Sequence, residues 1–283
     1  MTYDIIPPFG THALPPAREA WRKKAHGYPD TRIGRALISR ARKKALASEI
    51  GPFDVEIEEG ILARLYPLGN RCEKRAFAGV QVWDLTERLA LKAAIEQDGQ
   101  TDTPFVFFDV GANVGLYSLY VNAYAKQASR KARIIAIEPG VQTCGRLEAN
   151  IAANKANIQI IRAAVSDAPG TGYLGGGETN RGEAKLSVRT DTSESVVIDT
   201  LPRIARTLGI TRIDAMKIDI EGHDLKALTT FFEDASTMLH PGLLILETGR
   251  DTVSPLIELC ESNGYVVAER TKLNTILKKA SHV

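Results

Sequence analysis

From Pro104 onward the chain alternates short apolar runs with helical patterns, and this alternation restricts the possible folds more than any other feature. The runs FVFFDV, ARIIAIEP, IQIIRAAVS, DAMKIDI, LLILET and YVVAE carry apolar residues on both strand faces. Helix-period stretches such as LYSLYVNAYAKQA and VQTCGRLEANIAAN lie between them. A strand that is apolar on both faces needs cover on both, and helical crossovers between strands supply it. The expected fold is therefore α/β, a doubly wound and mostly parallel sheet.

Ligands of such sheets bind at the carboxyl ends of the strands, where successive crossovers leave in opposite directions. The stretch FVFFDVGANVGLYSLY, residues 105–120, lies there. Asp109 closes the strand, Gly111 permits a tight turn, and Gly115 lets the next helix bring its first turn close to a ligand. A dinucleotide fingerprint would want glycine where Asn113 and Leu116 stand. One strand later Glu138 ends IIAIEPG, where a carboxylate can accept hydrogen bonds from both hydroxyls of a ribose. An adenosine ligand without a pyrophosphate, held by its ribose and an amino-acid moiety, describes S-adenosylmethionine better than a nicotinamide dinucleotide. Without a ligand, the turn is a plain strand-to-helix link and Glu138 a solvated strand end or a helix cap.

The third motif is MKIDIEGHD. Read as a strand, it points Met216, Ile218 and Ile220 one way and Lys217, Asp219 and Glu221 the other. His223 and Asp224 follow at the mouth. Three charges on one strand face suggest a paired network, or a carboxylate that orients an acceptor or takes its proton.

The N-terminal hundred residues read differently. PAREAWRKKAHG and TRIGRALISRARKKALASEIG are two helices, the second with Ile33, Leu37, Ala41, Ala45 and Leu46 as its apolar stripe beneath a basic face. Between Arg18 and Lys44 stand ten Lys and Arg against Glu19 and Asp30, although the whole chain of 283 residues has a net charge of only +2. That near-neutral sum excludes a general polyelectrolyte role. The local excess fits a solvated face, or docking to an acidic partner, a phosphate-bearing acceptor or anionic lipid. FDVEIEEGILARLYP alternates as a hairpin about Glu59-Gly60, and VWDLTERLALKAAIEQDG is a further amphipathic helix. The glycine-rich segment PGTGYLGGGETNRGEAKLSVRTDTSES reads as a loop insertion in a position suited to a lid. Cys72, Cys144 and Cys260 are scattered with no metal-ligand spacing, so no metal site is expected and a reducing, cytoplasmic location is. No apolar run is long enough to span a membrane.

Together FFDVGANVGLYS, IAIEPG and IDAMKIDIEGHDLKAL resemble the FkbM family of S-adenosylmethionine-dependent methyltransferases over roughly residues 104–250. The resemblance implies a Rossmann-like seven-stranded sheet whose last strand is antiparallel, with YVVAER and NTILKKA as its closing pair. It implies that Asp109, Gly111, Ala112, Asn113 and Gly115 surround the methionine portion of the cofactor and Glu138 its ribose. Ala164 and Val165 would lie beside the adenine, with Asp167 reaching its amino group. Where family members often carry Leu-Asp-Asp before the fourth strand, this chain has DTLPRI, with Pro202 in place of the first acid. Asp219, Glu221, His223 and Lys217 are the catalytic candidates, the base being His223, Asp219 or Glu221.

The expectation is an N-terminal helical and hairpin region over 1–80 and a methyltransferase domain over 81–283. The absence of an Asn-Pro-Pro-Tyr run favours an oxygen acceptor: a hydroxyl on a sugar, glycan or natural-product small molecule. Nucleic acid is not expected as a partner, and a homo-oligomer is left open. The alternatives are an NAD-dependent oxidoreductase and a non-catalytic binding module led by the basic helices.

Overall fold

A computed structural model describes residues 7–97, 103–175, 193–249 and 254–280, with 185–187 as backbone. The chain divides into two compact units. One takes the described residues up to Leu85 together with Gly145–Ala156, and the other takes most of the rest.

The first unit opens with helices α1 (Pro16–His26) and α2 (Arg32–Leu46). Thr31 starts α2 by accepting the Gly34 N–H through its side chain, and Arg18 donates to the terminal carbonyls of Ala45 and Leu46 at 2.6 and 2.8 Å. Those bonds satisfy helix-end groups that have no intrahelical partner and make the two helices an antiparallel hairpin. The apolar stripe is displaced from the one expected. Gly34, Ile38, Ala41, Ala45 and Leu46 are buried, whereas Ile33 and Leu37 are exposed. The helix is rotated so that the small residues Gly34, Ala41 and Ala45 face inward.

Strands β1 (Phe53–Glu58) and β2 (Ile61–Leu65) pair antiparallel as expected. Part of the expected polar face is covered as well, since Asp54 is buried while Glu56 stays exposed. Asp54 and Arg64, both buried, form a two-pronged ion pair at 2.7 and 2.9 Å. Gly10 and His12 donate to Asp54, and Arg64 donates to the Pro7 and Pro8 carbonyls. The arginine and main-chain donors outweigh burial and hold the Asp54 carboxyl below its ordinary value. A helix not anticipated from the sequence, α3 (Arg71–Ala78), follows its Asn70 cap. Its fully buried Glu73 meets Arg146 at 3.1 Å.

The second unit contains α4 (Leu85–Gln97), β3 (Phe105–Val110), α5 (Leu116–Gln127), β4 (Ala132–Ile137), the start of α6 (Val141–Ala153), β5 (Ile158–Ile161) and β6 (Ala164–Val165). These are followed by β7 (Gly170–Gly175), β8 (Lys185–Ser187), β9 (Glu194–Asp199), α7 (Leu201–Thr207), β10 (Ala215–Ile218), α8 (Asp224–Asp234) and β11 (Leu243–Glu247). The unit ends with α9 (Pro255–Ser262), β12 (Tyr265–Arg270) and β13 (Asn274–Lys279).

Seven strands form one sheet in the order β12-β13-β11-β10-β3-β4-β5, with the last strand of the chain, β13, antiparallel to both its neighbours. Adjacent residues Phe107 and Phe108 of β3 are both fully buried, which is the two-sided cover that the continuous apolar runs required. Phe108, Ile135, Met216 and Leu244 share one core cluster with Leu201, Leu228 and Phe231 of α7 and α8.

Two expectations change. IQIIRAAVS is two strands in different sheets, β5 in the large one and β6 in a second. Much of the expected loop insertion is strand: β7 runs antiparallel to β9 and β8, and β9 is parallel to β6. Three of the glycines that suggested a loop, Gly170, Gly172 and Gly175, sit on β7, and Gly170 has open space where a side chain would be. Residues 176–184 and 188–192 of that segment lie outside the described ones.

Candidate functional site

Asp109, Gly111, Ala112, Asn113, Gly115, Glu138, Lys217 and Asp219 lie at or just past the carboxyl ends of β3, β4 and β10, whereas Ala164, Val165 and Asp167 lie on or just after β6 of the second sheet. The turn after β3 is built from three consecutive-but-one left-handed residues, Gly111 (φ 76°), Asn113 (φ 53°) and Gly115 (φ 82°). Gly111 is required for space as well as for conformation. A Cβ there would lie 1.9 Å from the Asp219 carbonyl oxygen, so the turn packs directly against the end of β10. Gly111 and Ala112 donate to the Ile137 carbonyl at 2.9 and 3.0 Å, which ties the turn to β4.

Glu138 follows on β4. Its two carboxylate oxygens accept the Asn113 N–H and the Gly140 N–H, each at 3.0 Å. A carboxylate oxygen can accept more than one hydrogen bond, so an outer lone pair remains on each oxygen of this fixed, half-buried group. Burial pushes the Glu138 carboxyl up to about 7, against the pull of those two N–H groups and of the Lys217 charge.

Asp109 is buried. Its Oδ2 accepts from the Ser118 N–H and hydroxyl at 3.0 and 2.7 Å, while Oδ1 has no hydrogen-bond partner among the described residues. Burial raises this carboxyl, with Lys217 and Ser118 opposing. An unmet buried acceptor is costly and asks for a donor.

Lys217 lies beside Asp109 in register, its ammonium 3.0 Å from Asp219 Oδ2 and 5.5 Å from the centre of the Tyr117 ring. Glu247, at the end of β11, belongs to the same group and was not anticipated, although a carboxylate closing the run LLILET is the signal that singled out Glu138. Burial works against ionisation of Asp219, but the Lys217 charge and a hydrogen bond from Glu247 outweigh it and hold Asp219 below its usual value. Burial, then the Asp219 charge and that same bond, push Glu247 up to about 8. At neutral pH Glu247 is therefore the proton donor and Asp219 the anion.

MKIDIEGHD is strand only in its first part. β10 stops at Ile218, and Asp224 accepts the Ile220 and Gly222 N–H groups, each at 3.1 Å, bending the segment into a turn with Glu221 at φ 53°. Glu221 still arrives near Asp219 and Glu247, one carboxylate oxygen of each within 4.8 Å of the others. A divalent cation is the group such a trio could hold. Part of its negative charge is already compensated by Lys217 and by the Glu247 proton.

His223 sits in that turn. Ser166 donates its hydroxyl proton to Asp167 Oδ1 at 2.8 Å and lies 3.0 Å from His223 Nδ1. Since the single serine proton goes to the carboxylate, Nδ1 is the donor to Ser166, and in that tautomer Nε2 carries the lone pair. Asp167 is exposed, its carboxyl lowered by the Ser166 bond. Ala164 and Val165 are buried, Ala164 against Leu174 and Val196, and Val165 in the main core. Their side chains are thus engaged in packing.

The model of the family described as "Methyltransferase FkbM domain" matches residues 109–267, more than half of the 283-residue chain. The chain belongs to the FkbM methyltransferase family. S-adenosylmethionine is the cofactor, and the residues present suit it. The bare acceptor Asp109 Oδ1 stands beside the glycine turn, and the free lone pairs of Glu138 stand one strand away. Family membership sets aside the nicotinamide alternative.

Among curated relatives, the chain is 27% identical over 208 residues to the AMB antimetabolite synthetase AmbE of Pseudomonas aeruginosa, covering 58% of this chain but only 10% of that protein. It is 26% identical over 197 residues to the methyltransferase sdnD of Sordaria araneosa, covering 57% of this chain and 73% of sdnD. A solved FkbM methyltransferase from Methylobacillus flagellatus KT aligns with a TM-score of 0.43 at 12% identity, over 92% of this chain and 58% of that one. At that level the structural likeness adds nothing to the family assignment.

Proposed function

We propose that this methyltransferase methylates a hydroxyl group of a sugar or natural-product type small molecule, with Asp109 and the 111–115 turn holding the methionine portion of the cofactor and Glu138 its ribose. What supports the reading is that an acid with one unmet oxygen, a carboxylate fixed by two main-chain N–H groups and an imidazole bonded through Nδ1 follow the carboxyl ends of β3, β4 and β10. The name of one relative, an antimetabolite synthetase, supports a natural-product class of acceptor.

S-adenosylmethionine, when bound, supplies a methyl group already activated by its sulfonium. What the chain adds is alignment of the acceptor and removal of its proton. Asp219 is a weak base because Lys217 and Glu247 stabilise its anion, and Glu247 holds its own proton. His223 Nε2 is the better base on this account. Asp167 and Ser166 fix its tautomer and Asp224 fixes its turn, so these are positioning residues. The Lys217–Asp219–Glu247 group keeps charge at the site without taking the proton. A positioned base contributes about a hundredfold to ten-thousandfold.

The test is transfer of labelled methyl from S-adenosylmethionine to a panel of sugars and hydroxylated natural products, for the native protein and His223→Gln. Transfer to an oxygen, with the variant slowed at least a hundredfold and its cofactor affinity kept within about threefold, supports the reading. Transfer to nitrogen or carbon would remove the oxygen acceptor, and full turnover in the variant would remove the base.

A further inference from the structure

The rotation of α2 leaves Ile33 and Leu37 exposed on the first unit. At 3.6 residues per turn, Ile33, Leu37, Arg40 and Lys44 fall within an arc of roughly 60°. All four are exposed, Ile33 at 75% and Leu37 at 40%. The stripe borders α1 through Trp21, whose ring lies 3.8 Å from the Lys44 ammonium and 5.1 Å from that of Lys24.

The neighbouring charge is almost wholly positive. Arg32, Lys23 and Lys43 are exposed, and Arg32, Arg40 and Lys43 make no ion pair among the described residues. The two acids of the hairpin are already neutralised, Glu19 by Arg22 and Asp30 by Arg35. No helix among the described residues is long and apolar enough to cross a membrane. A surface of this kind lies on a bilayer and does not span it.

We propose that the α1–α2 hairpin docks on an anionic lipid bilayer, with Ile33 and Leu37 entering the headgroup boundary and Arg40, Lys44, Lys24 and Arg32 lying over the phosphates. Two aliphatic side chains standing among cations are the pattern of an interfacial helix, where apolar burial and attraction to acidic headgroups add. A nucleic-acid backbone would engage the cations and leave Ile33 and Leu37 in water. A stable protein interface buries about 800 Å² on each partner, far more than this four-residue stripe offers. Charge complementarity together with these two residues therefore selects lipid.

The test is co-sedimentation of the full chain with vesicles of phosphatidylcholine alone and of phosphatidylcholine with phosphatidylglycerol, at low and high salt. The expected result is binding to the anionic vesicles only, weakened by salt. Ile33→Ser with Leu37→Ser should reduce partitioning by at least about tenfold, since both side chains leave water on docking. Arg40→Gln with Lys44→Gln should reduce it by about twenty-fivefold, at on the order of fivefold per cation. All four positions are exposed, so unchanged thermal melting serves as the control for folding. No binding to anionic vesicles, equal binding to both kinds, or a Ser double variant that binds as the native chain does would each overturn the proposal. Binding to RNA or to an acidic protein in place of vesicles would overturn it too.

Discussion

Substituting alanine at Gly111 separates two costs that glycine avoids there. The first is conformational. An L-residue in the left-handed region costs about 1–2 kcal/mol, and Gly111 sits at φ 76°. The second is steric. The new Cβ would be 1.9 Å from the Asp219 carbonyl oxygen and 2.9 Å from its carbon, both backbone atoms, so β10 or the turn has to move by more than 1 Å. Overpacking of that kind costs about 1–3 kcal/mol. Gly209 supplies the control: its φ is 62°, it is exposed, and no atom lies within 4 Å of where its Cβ would be.

Gly209→Ala should therefore lose only about 1–2 kcal/mol and Gly111→Ala about 2–5 kcal/mol. The difference in Tm between the two variants should be at least a few degrees. Calorimetric titration with S-adenosylhomocysteine should further show at least tenfold weaker binding for Gly111→Ala and no change for Gly209→Ala, since only the former displaces the turn. If Gly111→Ala melts with Gly209→Ala and binds as the native chain does, the close packing of the turn against β10 has no energetic meaning and the reasoning fails.

Asp109→Asn keeps an oxygen for the two Ser118 bonds but replaces the unmet acceptor with a donor. Cofactor affinity should fall at least tenfold while the Tm changes little, as read by calorimetric titration and melting. For Glu247, the folded carboxyl keeps its proton to about pH 8, whereas the unfolded one releases it near 4.5. The folded state therefore holds an extra proton between those limits, and stability falls as pH rises through that window. Glu247→Gln retains a donor toward Asp219, so its urea midpoint should be flatter than that of the native protein from pH 5 to 8. A native-like slope would show that Glu247 does not hold the proton.

The large sheet was legible because its strands are buried on both faces and so read as continuous apolar runs, and the strand ends then pointed to Asp109 and Glu138. What escaped has physical causes. Asp54 and Arg64 look solvent-facing in an alternating hairpin, yet they are buried because residues 7–13 lie over that face. The glycine-rich and polar composition of 169–195 hid the strands β7 and β8 and the start of β9, since sheet pairing there rests on main-chain bonds more than on side chains. Ile33 and Leu37 have the same helical spacing as Ile38, Ala41 and Ala45. Only packing decides which stripe turns inward, and the smaller side chains allow the closer approach. Glu247 was missed because its importance depends on Asp219, one strand away in space and distant in sequence.

Titration of S-adenosylhomocysteine into the native protein and into Glu138→Ala decides whether Glu138 and the turn after β3 form the cofactor site. The native protein should bind clearly and the variant at least tenfold more weakly, because two hydroxyl acceptors are lost while the fold persists. Equal affinity in the two proteins would contradict that assignment.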